Sequence, residues 1–412
     1  MSVEIVTLGC RLNTFESEVM REHAKAANAG DTVIVNTCAV TREAERQARQ
    51  TIRRLRRDKP DARIIVTGCA AQLDPTRFAA MAEVDQVLGN AEKLEPRFLE
   101  TAEPVRVADI MAVTETAPHL VSGFEERARA FVQVQQGCDH RCTFCIIPFA
   151  RGRNRSVGAG AVVDQVRKLV KAGYREVVLT GVDICSYGDD LPGQPRLGEL
   201  VARLLDGAPD LDRLRLSSLD PAAMDDRLFD LLANEPRFMP HLHLSAQAAS
   251  DMILKRMKRR HSRADLYRVV DRARAARADL ALGADLIAGF PTETDELFAE
   301  TRAAVKELGI VYAHVFPYSE REGTPAARMP AVEPTLRKER AAALRAAGAD
   351  NLAAFFEAEA GRERLVLAET PTGGRTEQFA QVTWTEPVEP GRLGPVRITG
   401  TEDDKLTGEW IG

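Results

Sequence analysis

Short apolar runs and helix-period polar stretches alternate along the first ~115 residues. Val3–Leu8, Thr32–Val35 and Arg63–Val66 are compact, β-branched runs. Between them, Phe15–Ala27 and Thr41–Arg57 repeat apolar residues every three to four positions, the second opened by Thr41, a residue suited to an N-cap. Strand, helix, strand, helix, strand predicts a parallel sheet with helices on its faces. A polar linker follows at Val113–Glu126, with Pro118 and Gly123. A second series then predicts strands at Phe131–Gln135, Glu176–Thr180, Arg213–Ser217, His241–Ser245, Ala281–Ala288 and Ala313–Pro317. Helical stretches lie between them, among them Ala161–Lys171, Met224–Ala233 and Glu296–Leu308. Six such repeats predict an open barrel related to the eight-fold (β/α) barrel, with its site at the strand C-termini. An alanine-rich helix at about Thr335–Glu359 leads to four short runs, LVLAE, FAQVTW, GPVRITG and GEWIG, separated by Gly and Pro. These predict a small β-barrel. The expected class is α/β in three parts, 1–115, 126–350 and 360–412.

Composition narrows the functional classes. The chain has 412 residues, 44% hydrophobic and 28% charged, enough apolar material for a core in each part. Lys+Arg number 56 and Asp+Glu 61, so the net charge is 56 − 61 = −5, which excludes a uniformly basic nucleic-acid coat but not a local basic face. No run approaches ~18 consecutive apolar residues, and MSVEIVTLGC has neither a basic n-region nor a long apolar h-region. A cytoplasmic protein with no membrane partner is expected.

The seven cysteines, at 10, 38, 69, 138, 142, 145 and 185, are odd in number and fit a disulfide set badly. Cys10, Cys38 and Cys69 end the three N-terminal runs, in VTLGC, VIVNTC and IIVTGC. Ligands bind outside the carboxyl ends of parallel strands, so these three thiols should converge on one sheet edge. Cys138, Cys142 and Cys145 lie within eight residues, just after the first barrel strand. Zinc is one reading of that loop; a closed zinc site wants four ligands, and His140 is the available fourth donor. An iron–sulfur cluster is the other, since soft thiolates suit it and three of them leave one iron open.

C-x3-C-x2-C, with Phe144 before the last cysteine, resembles the signature of the radical S-adenosylmethionine enzymes. That resemblance implies a [4Fe-4S] cluster on Cys138, Cys142 and Cys145 whose open iron chelates S-adenosylmethionine and cleaves it to a 5′-deoxyadenosyl radical. Thr7–Ser17 (TLGCRLNTFES), Asn36–Thr41 (NTCAVT) and Thr67–Gln72 (TGCAAQ) are similar to the three cysteine motifs of the methylthiotransferase N-terminal domain. They imply a second [4Fe-4S] cluster on Cys10, Cys38 and Cys69. The C-terminal strands resemble the TRAM domain that helps such enzymes grip RNA. His314–Ala327 (HVFPYSEREGTPAA) looks most like the members acting on threonylcarbamoyladenosine at position 37 of tRNA. The implied reaction places a methylthio group on adenine C2, a C–H with no adjacent carbonyl to acidify it and no leaving group, where a carbon radical is the way in. An electron donor such as flavodoxin or ferredoxin is implied, with the sulfur donor left open. Relatives of the same architecture acting on isopentenyladenosine or a ribosomal-protein aspartate, and a non-catalytic iron–sulfur RNA-binding protein, are the rival readings.

Further residues follow from the barrel. Thr180-Gly181-Val182-Asp183 ends the second strand, where radical enzymes bind the cofactor's amino group; a plain βα turn is the other reading. Ser217, Ser218 and Asp220 could meet the cofactor or cap a helix. Asp285 and Gly289 lie on the fifth strand, and Cys185 reads as an ordinary thiol rather than a ligand. In Ser245–Ser250, Gln247 keeps the family pattern, but Ala246 replaces a larger residue and Ala249 stands where glycine is usual; a positive φ there would strain alanine. Three basic stretches suggest RNA contacts: nine basic against four acidic residues in Arg42–Arg63, then Lys255–Arg260, and Arg151, Arg153 and Arg155. A solvated helix face is the other reading of the first. Residues 361–412 carry six basic and nine acidic residues, so the terminal barrel does not grip RNA by charge alone.

Overall fold

The computed structural model describes residues 3–26, 31–100, 103–116, 121, 123–124 and 128–411. Half of the expected linker, including Pro118 and Glu126, lies outside the described residues.

The N-terminal strands β1 (Val3–Thr7), β2 (Thr32–Thr37), β3 (Arg63–Gly68), β4 (Gln86–Leu88) and β5 (Val105–Arg106) form one parallel sheet in sequential order. The last two extend the sheet beyond the three strands the pattern predicts. Helix α1 (Arg11–Ala26) follows β1, and α2 (Arg42–Asp58) follows β2. Thr41 caps α2 as expected, its hydroxyl accepting from the Ala44 amide at 3.0 Å. Ala48, Ile52 and Leu55 bury one stripe of α2 and leave its arginines on the other side.

The central strands are β6 (Arg129–Gln133), β9 (Glu176–Thr180), β10 (Arg213–Leu216), β11 (His241–Gln247), β12 (Ala281–Ala288) and β13 (Tyr312–Pro317). The two-residue β7 (Gln135–Gln136) and β8 (Arg155–Ser156) make a small antiparallel pair beside them. The six pair in parallel as β10-β9-β6 and β11-β12-β13, joined by the isolated bridges Leu214↔Phe238 and Leu219↔Leu244. Every second residue faces outward: Leu214, Leu216, Leu242, Leu244, Leu282 and Leu286 pack in the main core under the helices. The alternate residues are Arg213, Arg215, His241, His243 and Asp285, so the interior is polar rather than filled by branched aliphatics.

Helix Pro334–Glu359 leads to β14 (Glu363–Thr370), β15 (Gly373–Arg375), β16 (Gln381–Thr383), β17 (Leu393–Glu402) and β18 (Lys405–Trp410), a closed barrel. This barrel docks on the N-terminal ends of the central strands: Arg215 donates to the carbonyls of Glu377 (2.7 Å) and Thr376 (2.9 Å), and Tyr312 to that of Gln378 (3.1 Å).

Candidate metal centres

Cys10 follows β1 directly, Cys38 follows β2, and Cys69 opens the short helix after β3. Two glycines let these turns close on each other. Gly9 and Gly68 have φ of +98° and +95°. A Cβ on Gly9 would lie 2.7 Å from Cys38 Cβ, and one on Gly68 would lie 2.4 Å from both the nitrogen and the oxygen of Thr37. Asn13 Nδ2 donates to the carbonyls of Leu8 (2.7 Å) and Thr37 (3.1 Å), and Thr37 Oγ1 to that of Thr67 (2.6 Å). The three loops are thus tied by buried bonds, and the three thiols feel one another's charge. Burial pushes the Cys38 thiol up to about 11.

Arg151, 1% exposed, enters this site from the central barrel. Its Nε donates to Cys69 Sγ at 3.0 Å, and its other nitrogens bond Gln136 Oε1 (3.0 Å), Glu16 Oε2 (3.0 Å) and Asn13. Lys93 Nζ donates to Glu16 at 2.7 Å. Burial alone would raise the Glu16 carboxyl, but Arg151 and Lys93 hold it below the usual range.

The second triplet sits after β7. Gly137, with φ +73°, brings the loop so close to Arg153 that a Cβ would meet its carbonyl oxygen at 1.8 Å. Thr143 pins the loop: its amide donates to the Met257 carbonyl (3.0 Å) and its hydroxyl to the Arg256 carbonyl (2.8 Å). Phe144 stacks edge-on to Phe290 at 6.4 Å, an apolar support beneath the cysteines. Arg259 Nη1 donates to Cys142 Sγ at 3.6 Å. Burial, and then the charge of Asp183, push the Cys138 thiol up to about 12; burial pushes Cys145 up to about 11.

Among the described residues, neither triplet has its three sulfurs within 4.8 Å of one another. A single tetrahedral zinc ion, at ~2.3 Å from each sulfur, needs them about 3.8 Å apart. The wider spacing fits a cluster, whose thiolates bind different irons. His140 is not turned to a shared ion either: its Nε2 lies 3.0 Å from Asp183 Oδ2.

Asp183 also accepts from Ser186 Oγ (2.8 Å) and lies 4.0 Å from Cys138 Sγ. Gln135 Oε1 accepts from the amides of Val182 and Asp183, and a Cβ on Gly181 would lie 2.7 Å from the Gln135 carbonyl oxygen. The β9 end is therefore locked to the cysteine loop. Ser217 is buried at the end of β10. Ser218 Oγ lies 3.4 Å from Asp285 Oδ2. Asp220 caps a 3-10 turn and receives Arg259 and Arg260. The Gly289 amide points to Glu293, and Cys185 Sγ accepts from the Asp220 amide at 3.3 Å.

Three expectations need correction. Ala249 has no positive φ; the left-handed residue is Gln247, at φ +65°, after a register shift in β11. The strain therefore falls on the retained glutamine. Arg151 and Arg155, expected on an RNA face, are 1% and 2% exposed. Arg259 and Arg260 turn to Cys142 and Asp220. Sequence reasoning also missed His243, Asp285 and His314 as a group: their ligating atoms lie within 4.8 Å of one another, with His243 Nε2 3.1 Å and His314 Nδ1 3.5 Å from Asp285 Oδ1. The H-L-H alternation on β11 was the available signal.

Residues 132–305 match the Radical SAM superfamily, and residues 2–89 match the Uncharacterized protein family UPF0004. The chain is 50% identical over 401 residues to "Threonylcarbamoyladenosine tRNA methylthiotransferase MtaB" of Rickettsia prowazekii, covering 97% of this chain and 95% of that protein. It is 35% identical to the protein of the same name from Aquifex aeolicus, covering 97% and 100%. A "tRNA-2-methylthio-N(6)-dimethylallyladenosine synthase" of Cereibacter sphaeroides is 36% identical, covering 99% and 98%. Among solved structures, the radical S-adenosylmethionine methyltransferase TsrM of Kitasatospora setae shares the fold at a TM-score of 0.55 and 19% identity, covering 77% of this chain and 67% of that one.

Proposed function

The chain belongs to the threonylcarbamoyladenosine tRNA methylthiotransferases within the radical S-adenosylmethionine superfamily, and we propose that it performs that reaction with two [4Fe-4S] clusters held by different parts of the chain. The product is the 2-methylthio form of N6-threonylcarbamoyladenosine at position 37 of tRNA. Cys138, Cys142 and Cys145 hold one cluster, and Cys10, Cys38 and Cys69 the other. The observation that carries this reading is that each cysteine triplet has a buried or half-buried arginine on one of its sulfurs. When bound, the clusters and S-adenosylmethionine supply the radical and the sulfur that an adenine C2–H requires.

The chain's own residues position and shield. Arg151 and Arg259 each donate to a ligand sulfur, which favours the more negative states of a cluster. Phe144 packs the loop from below. Asp183 and Gly181, at the end of β9, with Ser217 and Gln247 at the ends of β10 and β11, face the cofactor. Arg151 also seals the junction between the sheet and the barrel, where water would quench a carbon radical. No helix among the described residues is long and apolar enough to cross a membrane. We place the protein in the cytoplasm with its tRNA, served by a small electron-transfer protein such as flavodoxin or ferredoxin. The three-part division at 1–115, 126–350 and 360–412 fits the three sets of strands.

The test separates the two triplets. Anaerobic reconstitution should load about eight irons per chain. Cys145→Ala should halve the iron and abolish 5′-deoxyadenosine. Cys69→Ala should also halve the iron, yet keep 5′-deoxyadenosine while losing methylthiolated tRNA. Full methylthio product from Cys69→Ala, or stoichiometric zinc without iron, would overturn the assignment.

A further inference from the structure

The floor of the central barrel holds more positive charge than its carboxylates match. Arg129, Arg213, Arg215 and Arg375 converge there on Glu176 and Glu369, with Glu377 as a third carboxylate acting on Arg213. Glu176, fully buried, is engaged by Arg215 at 2.8 Å, Arg213 at 3.6 Å and Arg129 at 3.9 Å. Glu369 is engaged by Arg129 and by Arg375 at 3.3 Å. Arg11 is a fifth guanidinium in this group, and Glu176 and Glu369 are already taken. It has no hydrogen-bond or ion-pair partner among the described residues, and its guanidinium lies over the Phe379 ring, 5.8 Å from the centroid.

A second, independent observation comes from His241. It is 4% exposed, stacks on Phe379 at 4.9 Å, and neither ring nitrogen has a hydrogen-bond partner. A buried imidazole with two idle nitrogens beside an unpaired guanidinium is costly unless something polar enters. The interior next to it is polar: His243, two residues along β11, pairs with Asp285, and its ring lies tilted 4.6 Å from that of His314. Arg11 is also the residue after Cys10, so this group of charges is joined through the chain to the N-terminal cysteine triplet.

We propose that Arg11 binds the free carboxylate of the substrate's threonylcarbamoyl group, with His241 beside it, and so selects for that modified adenosine. This rests on the function proposed above. A carboxylate is the anion that guanidinium geometry matches best, and an N6-threonylcarbamoyl group carries one where a dimethylallyl group carries none. An RNA backbone phosphate is a poorer occupant, because the site lies inside the barrel, where a flipped base reaches and a strand does not.

The experiment uses the reconstituted protein and three anticodon stem-loop RNAs. They carry threonylcarbamoyladenosine, its carboxyl methyl ester, or unmodified adenosine at the target position. The wild type should bind the free acid about 10- to 100-fold more tightly than the ester, the worth of one charge-assisted pair. Arg11→Gln should bring that ratio close to one by weakening the acid alone, and Arg11→Lys should restore part of it. The ratio is taken within one preparation, so partial misfolding cancels. Equal binding of acid and ester by the wild type overturns the inference. So does an unchanged ratio in Arg11→Gln, or an equal loss on all three RNAs, which is a phosphate effect. In a separate activity assay, methylthiolation of a fourth stem-loop carrying dimethylallyladenosine, but not of the threonylcarbamoyl one, would instead remove the proposed function.

Discussion

Replacing Arg151 by methionine tests whether the sheet and the barrel are joined through one side chain. Methionine keeps most of the volume and removes every donor. Arg151 is 1% exposed and Glu16 is fully buried, so their pairing is not screened by water. Breaking a buried pair costs about 3–5 kcal/mol, because one charge is left uncompensated. Here Lys93, 2.7 Å from Glu16, remains as a partner, which places the loss near the lower figure, about 3 kcal/mol. Adding Glu16→Gln to Arg151→Met should therefore deepen that loss, because it leaves the buried Lys93 ammonium without its carboxylate. A second consequence is redox. With the donor to Cys69 gone, the N-terminal centre loses a positive charge and a hydrogen bond that favour its reduced form, and its potential should fall. Urea unfolding of the reconstituted single and double variants, followed by circular dichroism, reads the first effect, and anaerobic titration followed by electron paramagnetic resonance reads the second. A variant within 1 kcal/mol of wild type, with the potential unmoved, would refute the account of Arg151 as the joint.

Two further outcomes follow. Arg53, Arg54 and Arg57 are exposed along α2, whereas Arg56 is committed to Asp85 at 2.6 Å and to the carbonyl of Ala62. Neutralising the three exposed residues should weaken tRNA binding and flatten its salt dependence by as much as about 2 in log–log slope; an unchanged slope in filter binding would make α2 a solvated face only. Glu176→Gln should lower stability by about 3–5 kcal/mol, read as a drop in the urea midpoint. Arg215 first among its partners outweighs the burial of Glu176 and holds its carboxyl down to about 2. Such a depressed carboxyl contributes fully above the unfolded value of 4.5 and loses its contribution as pH falls towards 2, about 3 kcal/mol in all. The wild type should lose stability over that window more steeply than Glu176→Gln.

The elements that carry strong periodicity were legible from the chain. Glu176–Thr180 and Ala281–Ala288 match β9 and β12 end to end, because one face of each is uniformly apolar. Gln86–Leu88, Val105–Arg106 and Gly373–Arg375 are two or three residues long, too short to show a period, and they form only because a neighbouring strand offers its edge. Helix α1 begins at Arg11, four residues before the expected Phe15. No cap signal marks that start; the first turn is held by Asn13 reaching back to Leu8 and across to Thr37. The cysteines were readable as two groups from strand position and spacing. The arginines that attend them were not, since a guanidinium on a phosphate and one on a sulfur look alike in a sequence.

That ambiguity changes how the enzyme must meet RNA. Of the three basic stretches, one is turned inward at Arg151 and Arg155, and a second gives Arg259 to Cys142. The exposed remainder is Arg42, Arg46, Arg53, Arg54 and Arg57 on α2, with Arg153, Lys255, Lys258 and the Asp220-paired Arg260. Helix α2 is fixed beside the loop after β13: Arg321 pairs with Glu45, and the Arg42 amide donates to Ser319 Oγ at 3.1 Å. The surviving positive surface is thus anchored to the segment that most resembles the threonylcarbamoyladenosine enzymes. The terminal barrel, acidic in balance, instead sends Thr376–Phe379 against the N-terminal ends of the central strands. Phe379 takes a left-handed φ of +72° there, with its ring among Arg11, Arg129, Arg215 and Arg375. This aromatic in a left-handed conformation lies against four guanidiniums at the floor of the central barrel. On the function proposed above, phosphate contacts would fall to α2 and the loops beside it, since the terminal barrel is packed against the opposite, N-terminal ends of the strands.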